Sequence, residues 1–283
     1  MPRSTFRHHQ PVNIFEATPI DVRSLVPGER EELVALLGSM APAEWDLPSA
    51  APGWRVKDLA LHLLDDDLGL LSRNRDGDST GLLSADDHES FVRALAAKNQ
   101  RWIDGAQHLS PRIIIDLLTW AGNEVDAYYS TVALTTHGHV SWASDEPVPV
   151  WLDMAREFTE RWVHQMQIRE ATARVGGFRD AYLATVLRTF VWAIPHQYRV
   201  AEEAGVKVQV DLASGGQWYL VCQGGPTWSL NEGVVDSPDA SATFSDDCGW
   251  RWLTGATLPH EGVSLQGPPT LCEPLLGVRA IIV

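Results

Sequence analysis

Apolar residues recur at helical spacing through the first 204 residues of the chain. The clearest stripe lies within residues 56–73, where the leucines are Leu59, Leu63, Leu64, Leu68 and Leu71. Because residues three and four positions apart share one side of a helix, this stripe predicts an amphipathic helix. The same reasoning predicts five more helices, at residues 27–40, 87–109, 113–130, 151–174 and 180–204. The last of these is interrupted by Pro195.

Turn-forming residues mark the boundaries between these helices. Residues 42–54 and 135–149 are rich in proline, alanine or glycine, so they are predicted to be loops. Ser110 followed by Pro111 is typical of a helix N-cap with proline in the first helical position.

The pattern changes after residue 204. Short strands are predicted at 206–212, 217–223, 226–230, 240–244 and 279–283, with short helices at 248–253 and 270–276. Gly215 and Gly216 between the first two strands indicate a hairpin. We therefore expect two domains, an α-helical one at residues 1–204 and a small α+β one at residues 205–283.

Composition narrows the classes of function. The net charge of −15 would repel a phosphate backbone, which disfavours nucleic-acid binding. No apolar run is long enough to span a membrane, and residues 1–10 do not resemble a secretory signal. Three dispersed cysteines argue against a disulfide framework and fit a reducing compartment, so we expect a cytoplasmic protein.

The fifth predicted helix carries a carboxylate and an imidazole four residues apart, Glu160 and His164. Residues at that spacing lie on one helical face, and both side chains are suitable ligands for a divalent metal. Glu157 lies on the same face, and spacing does not choose between the two glutamates. A solvated Glu–His pair is the ordinary alternative.

A third ligand has to come from another helix, and His62 is the candidate. It interrupts an apolar stripe, where a histidine is costly unless it has a partner. The alternative is a core histidine bonded to a backbone carbonyl.

Other polar residues are secondary candidates. Asp58 and Asp65 lie about one turn before and after His62, where each is either an outer-shell partner of the imidazole or a helix-surface carboxylate. His137 and His139 are interpreted as exposed loop residues rather than a second metal site. His196, inside an apolar helix, either lines a pocket or packs.

Two segments resemble the signatures of a known family. The first is Pro-Gly-Trp-Arg-Val-Lys-Asp-Leu-Ala-Leu-His-Leu at residues 52–63, and the second is Glu-Arg-Trp-Val-His-Gln at residues 160–165. Both resemble the mycothiol-dependent maleylpyruvate isomerase family. From about residue 29 to the end, the resemblance implies an N-terminal DinB-like four-helix bundle followed by a small sterol-carrier-like α/β domain.

The resemblance also implies a site and a cofactor. It assigns His62, Glu160 and His164 as ligands of a divalent metal, typically zinc, and so favours Glu160 over Glu157. Members often have an acidic residue three positions after the metal-binding histidine, whereas this chain has Gln167.

The function implied is thiol chemistry on a small electrophile. Zinc would ionise the thiol of mycothiol, and its sulfur would attack a small substrate, giving isomerisation or S-transfer. Two alternatives stay open: a metal-dependent hydrolase that activates water, and a non-catalytic metal- or ligand-binding stress protein. The substrate is not specified by the residues.

Overall fold

The computed structural model describes residues 14–81, 83, 88–259 and 261–280, and these form two compact units. One unit holds residues 21–133 and 157–182, and is helical. The other holds residues 14–20, 134–156 and 183–280, and contains the sheet. Each unit is described by itself.

The helical unit contains α1 to α4, the C-terminal part of α5 and the first residues of a sixth helix. Their bounds are α1 Val26–Gly38, α2 Val56–Leu70, α3 His88–Ala106, α4 Pro111–Thr131 and α5 Val150–Ala171. Helix α2 packs against both α3 and α4, and α1 packs against α4. The predicted stripe of α2 is buried, with Leu59, Leu63 and Leu64 fully enclosed.

Charged side chains also cross the interior of this unit. Arg161 on α5 donates to Asp67 on α2 at 3.0 Å, and both side chains are buried. Arg30 on α1 pairs with Asp126 on α4 at 2.7 Å. Because each pair joins two helices, these contacts fix which faces of the helices meet.

The other unit carries a five-stranded sheet of order β5-β4-β3-β6-β7. The strands are β3 Lys207–Leu212, β4 Gly216–Gly224, β5 Thr227–Glu232, β6 Ala240–Phe244 and β7 Val263–Gln266. Strands β3 and β6 are parallel, and the remaining neighbours are antiparallel. The α-helical segments of this unit are the start of α5, the end of α6 (Phe178–Phe190), α7 (Ile194–Gln197), α8 (Asp246–Thr254) and α9 (Pro269–Cys272).

Several predicted elements differ from the structure. The predicted loop at 135–149 contains a two-stranded ladder, β1 His137–Gly138 with β2 Val148–Pro149. The helix predicted to reach residue 73 ends in a π-helical turn, Leu71–Arg75. Strand β7 was not predicted, residues 279 and 280 are not a strand, and residues 281–283 lie outside the described part.

The helix predicted at 180–204 is also wrong in its second half. It becomes 3-10 helical at Val191–Ala193 and ends with α7 at Gln197. Residues beyond it bond to the sheet instead: Trp228 Nε1 donates to the carbonyl of Val200, and Glu202 bridges to Gly225. Tertiary contacts therefore outweigh local helical preference there.

The two compact units do not meet at the predicted boundary between residues 204 and 205, because residues 134–156 and 183–204 belong to the unit that contains the sheet. This grouping describes which residues pack together. The position of the domain boundary stays a prediction. Among the described helices, none has both the length and the apolar character needed to cross a bilayer.

Candidate metal centre

The start of α2 fixes the position of His62. The backbone N–H of Arg55 donates to Asp58 at 2.8 Å, which caps the first turn. Asp58 also accepts from Gln107 at 2.7 Å. Its carboxylate therefore anchors the helix rather than orienting the imidazole.

His62, Glu160 and His164 come together in the helical unit. Their ligand atoms all lie within 4.8 Å of one another. Glu160 Oε1 lies 3.3 Å from Nε2 of His164 and 3.6 Å from Nε2 of His62. The side chains of both histidines are buried, while that of Glu160 is 17% exposed. The cluster thus has one side open to solvent.

The charged groups of the cluster shift one another's pKa values. Burial alone would lower the pKa of His62, but the carboxylates of Asp66 and Glu160 outweigh it and raise that pKa to about 9. Burial works to raise the pKa of Glu160, yet hydrogen bonds from His164 and His62 hold it well below its usual value. An anionic carboxylate between two imidazoles attracts a cation.

The donor set and its spacing fit a divalent metal. Ligand atoms about 2.0–2.2 Å from zinc, at tetrahedral angles, lie roughly 3.3–3.6 Å from one another. The two distances from Glu160 to the imidazole nitrogens fall in that range. Two nitrogens and one carboxylate oxygen form one of the donor sets found in catalytic zinc sites.

A second hydrogen bond orients one of the imidazoles. The Nδ1–H of His164 donates to Oε1 of Gln167 at 2.8 Å, with both side chains buried. This bond turns the other ring nitrogen toward Glu160. Gln167 stands where family members often have an acidic residue. It therefore supplies His164 with a hydrogen-bond acceptor but with no negative charge.

The remaining sequence candidates lie elsewhere. Asp65 contacts Lys98 at 3.4 Å, and Glu157 is buried outside the cluster. His137 and His139 are exposed, as predicted. His196 belongs to the other unit, where it lies 3.7 Å from Asp145.

Sequence reasoning missed two residues that border the cluster. Asp66 Oδ2 lies 3.4 Å from Nε2 of His62. The indole of Trp54 lies 5.0 Å from the His62 ring and 6.3 Å from the His164 ring, between ring centroids. The spacing of four residues between His62 and Asp66 was the available signal for the first.

His62 does not form the hydrogen bond to a backbone carbonyl that was the alternative interpretation of this residue. Its Nδ1 is buried with no hydrogen-bond partner among the described residues, and its Nε2 faces the two carboxylates.

A helical bundle joined to a small mixed α/β unit defines the class of fold, and comparison with solved structures agrees. The crystal structure of a mycothiol-dependent maleylpyruvate isomerase matches with 15% identity and a TM-score of 0.56, over 90% of this chain and 96% of that one. A histidine-to-alanine mutant of such an enzyme matches with 14% identity and a TM-score of 0.54 over the same shares. The predicted fold class is confirmed.

The family follows from the sequence match. The family model for the mycothiol maleylpyruvate isomerase N-terminal domain covers residues 26–169, half of the chain, including both signature segments. The chain belongs to this family, as the resemblance indicated. A comparison with curated proteins gives no significant match.

Proposed function

We propose that this protein is a zinc-dependent enzyme that uses mycothiol either to isomerise a small electrophilic substrate or to attach the thiol to it through sulfur (S-transfer). The observation that carries the proposal is the convergence of His62, Glu160 and His164 from two helices, within 4.8 Å, in a chain of this family. The similar solved structures are of mycothiol-dependent maleylpyruvate isomerases, which favours isomerisation as the reaction class.

Each residue at the site would have a distinct role in this reaction. His62, Glu160 and His164 hold the cation, which when bound lowers the pKa of a coordinated thiol. Gln167 keeps His164 in the tautomer whose Nε2 faces the site. Trp54 packs beside both imidazoles and would limit the movement of the two rings.

The thiol would enter from the exposed side of Glu160. The thiol would lose its proton, and its sulfur would add to an electrophilic carbon of a substrate double bond, breaking the π bond. Rotation about the resulting single bond and expulsion of the thiolate would restore the double bond in the isomer. If the sulfur instead displaced a leaving group, which departs with its bonding electron pair, the outcome would be S-transfer.

Metal analysis of the purified protein beside His164→Ala tests the site. We expect wild type to bind about one equivalent of zinc and His164→Ala to lose most of it, because removing one of three ligands opens the site. His139→Ala is the matched control, since His139 is exposed and lies outside the cluster. Equal metal content in wild type and His164→Ala would contradict the ligand assignment.

Turnover assays on maleylpyruvate and a panel of electrophiles, with and without mycothiol, test the reaction. We expect activity only with the thiol, and loss of that activity in His164→Ala. Thiol-independent hydrolysis would instead indicate a hydrolase, and bound metal without turnover would indicate a non-catalytic protein.

A further inference from the structure

One end of the five-stranded sheet contains a groove that the proposed function does not use. The groove has a volume of about 960 Å³, at the upper end of the range for small-ligand sites. It lies where the parallel strands β3 and β6 end and where β4 and β7 begin. All of its lining residues belong to the unit that contains the sheet, so the groove shares no residue with the metal centre.

Four polar side chains of the groove form a row across the sheet. Asp211 on β3 is paired with Gln217 on β4 and with Thr243 on β6. Thr243 is in turn paired with Ser264 on β7. Directly paired residues share one face of a sheet. Because both neighbours of Asp211 along β3 are buried apolar residues, the row lies on the face opposite the core.

The carboxylate of Asp211 is held in one orientation by neighbouring amides. Its Oδ1 accepts from Nε2 of Gln209 at 2.8 Å and from Nε2 of Gln217 at 3.4 Å. Gln209 is only 5% exposed, and it also donates to the carbonyl of Gly233 and accepts from the backbone N–H of Val235. A polar sheet face that only meets water needs no such support, whereas the groups of a binding site have to be held in place by supporting hydrogen bonds.

Asp211 also brings a negative charge that no described side chain balances. Both of its hydrogen-bond partners in the described ranges are neutral amides, and both use Oδ1. The other carboxylate at the groove, Glu232, is paired with Arg188 at 2.8 Å. The second oxygen of Asp211 is therefore available to a ligand. A cationic donor would form the strongest kind of hydrogen bond with it.

We propose that this groove binds a small cationic amine that also carries hydroxyl groups, as an amino sugar does. The ammonium group would donate to Asp211. The hydroxyl groups would bond to the amide of Gln217 and to the hydroxyls of Thr243 and Ser264, because amide and hydroxyl groups both donate and accept. An anionic ligand would be repelled by Asp211. This inference goes beyond the metal-dependent reaction and does not depend on it.

Binding of three compounds to the wild-type chain tests the ligand class. Backbone amide NMR shifts would be followed in phosphate buffer with glucosamine, N-acetylglucosamine and cyclohexylamine. We expect glucosamine to bind in the millimolar range or tighter and to shift the amides of β3, β4, β6 and β7 around the row. N-acetylglucosamine carries no charge and should bind about 10- to 100-fold more weakly, because the charged hydrogen bond is lost. Cyclohexylamine has no hydroxyl groups and should also bind more weakly than glucosamine.

Asp211→Asn tests the carboxylate while keeping its shape. We expect this variant to bind glucosamine about 10- to 100-fold more weakly than wild type. Glu203→Gln is the matched control and should bind like wild type, because Glu203 is exposed in the same unit and lies outside the groove. The comparison of the three compounds on wild type decides the ligand class even if Asp211→Asn does not fold.

Three results would overturn the inference: no shifts at tens of millimolar glucosamine, shifts confined to amides away from the row, or equal binding of glucosamine and N-acetylglucosamine. Equal affinity of wild type and folded Asp211→Asn would overturn it as well. Zinc content would be measured on the same samples. Because the groove and the metal centre share no residue, loss of zinc binding would contradict the proposed function alone.

Discussion

Gln167 places a neutral hydrogen-bond acceptor behind a candidate metal ligand. Its Oε1 accepts from Nδ1 of His164 inside the bundle, with no solvent to replace the bond. Such partners fix the tautomer and the ring orientation of a metal-binding histidine. An amide does so without adding negative charge, so the imidazole is a weaker electron donor than one backed by a carboxylate.

Replacing Gln167 should therefore change metal affinity through His164. We expect Gln167→Leu to weaken zinc binding by about 10- to 100-fold, because the imidazole loses its orienting partner. Gln167→Glu should bind at least as tightly as wild type, since it keeps the acceptor and adds charge. Chelator competition measures both variants. Equal affinity in Gln167→Leu and wild type would show that packing alone orients the ring.

At this scale, residue spacing could predict part of the site and not all of it. The four-residue spacing of Glu160 and His164 brought their side chains to one face, and the structure places them 3.3 Å apart. Spacing alone did not separate Glu157 from Glu160, because residues four and seven positions away both share a helical face. Asp66 was missed for a related reason: three adjacent aspartates look alike in sequence, and only tertiary contacts distinguish them.

Helices were the most predictable elements. The N-cap of α4 is formed as expected, with Ser110 accepting from the backbone N–H of Ile113. Strand β6 also has its predicted bounds, Ala240–Phe244. The sequence could not predict where α6 ends, because residues 198–204 are held by bonds to a sheet formed later in the chain. Local periodicity predicts an element, and distant partners decide where it stops.

The contact between α1 and α4 depends on a glycine. A Cβ atom on Gly122 would overlap Nε of Arg30, whose side chain is buried and paired with Asp126. We expect Gly122→Ala to lower the free energy of unfolding by about 1–3 kcal/mol, because Arg30 has to move out of its position. Denaturant titration measures the change.

Gly105 offers the matched control within α3. A Cβ atom there meets nothing within 4 Å, and the position is exposed. Gly105→Ala should be neutral or slightly stabilising, because alanine favours the helical backbone. If both variants lost the same stability, the steric explanation for Gly122 would be wrong.

For the molecule as a whole, the buried charges make stability depend on pH. Burial raises the pKa of Glu29 to about 7, although Arg161, Arg30 and Arg169 oppose that rise. The folded protein therefore binds a proton that the unfolded chain has released between about pH 4.5 and pH 7. This group's contribution to stability is complete below that window and is lost as the pH rises through it.

Glu29→Gln should remove this contribution to the pH dependence. Glutamine resembles the neutral form of Glu29, so the variant should gain stability relative to wild type as the pH rises, by up to about 3 kcal/mol above pH 7. Urea unfolding at several pH values measures the difference. Glu31→Gln, on the exposed side of the same helix, is the control and should follow wild type. Parallel curves for wild type and Glu29→Gln would contradict the assignment.

The positions of the candidate ligands in the sequence also determine how a bound metal would affect the unfolded chain. His62 lies on α2, and Glu160 lies on α5 about a hundred residues further along. A cation held by both ties these distant points together, much as a disulfide closes a loop, and cross-links of that span restrict the entropy of the denatured ensemble. Loss of the ion would then loosen the chain between His62 and Glu160. Proteolytic cleavage within residues 76–81 should therefore be faster in the metal-free protein than in the metal-bound protein.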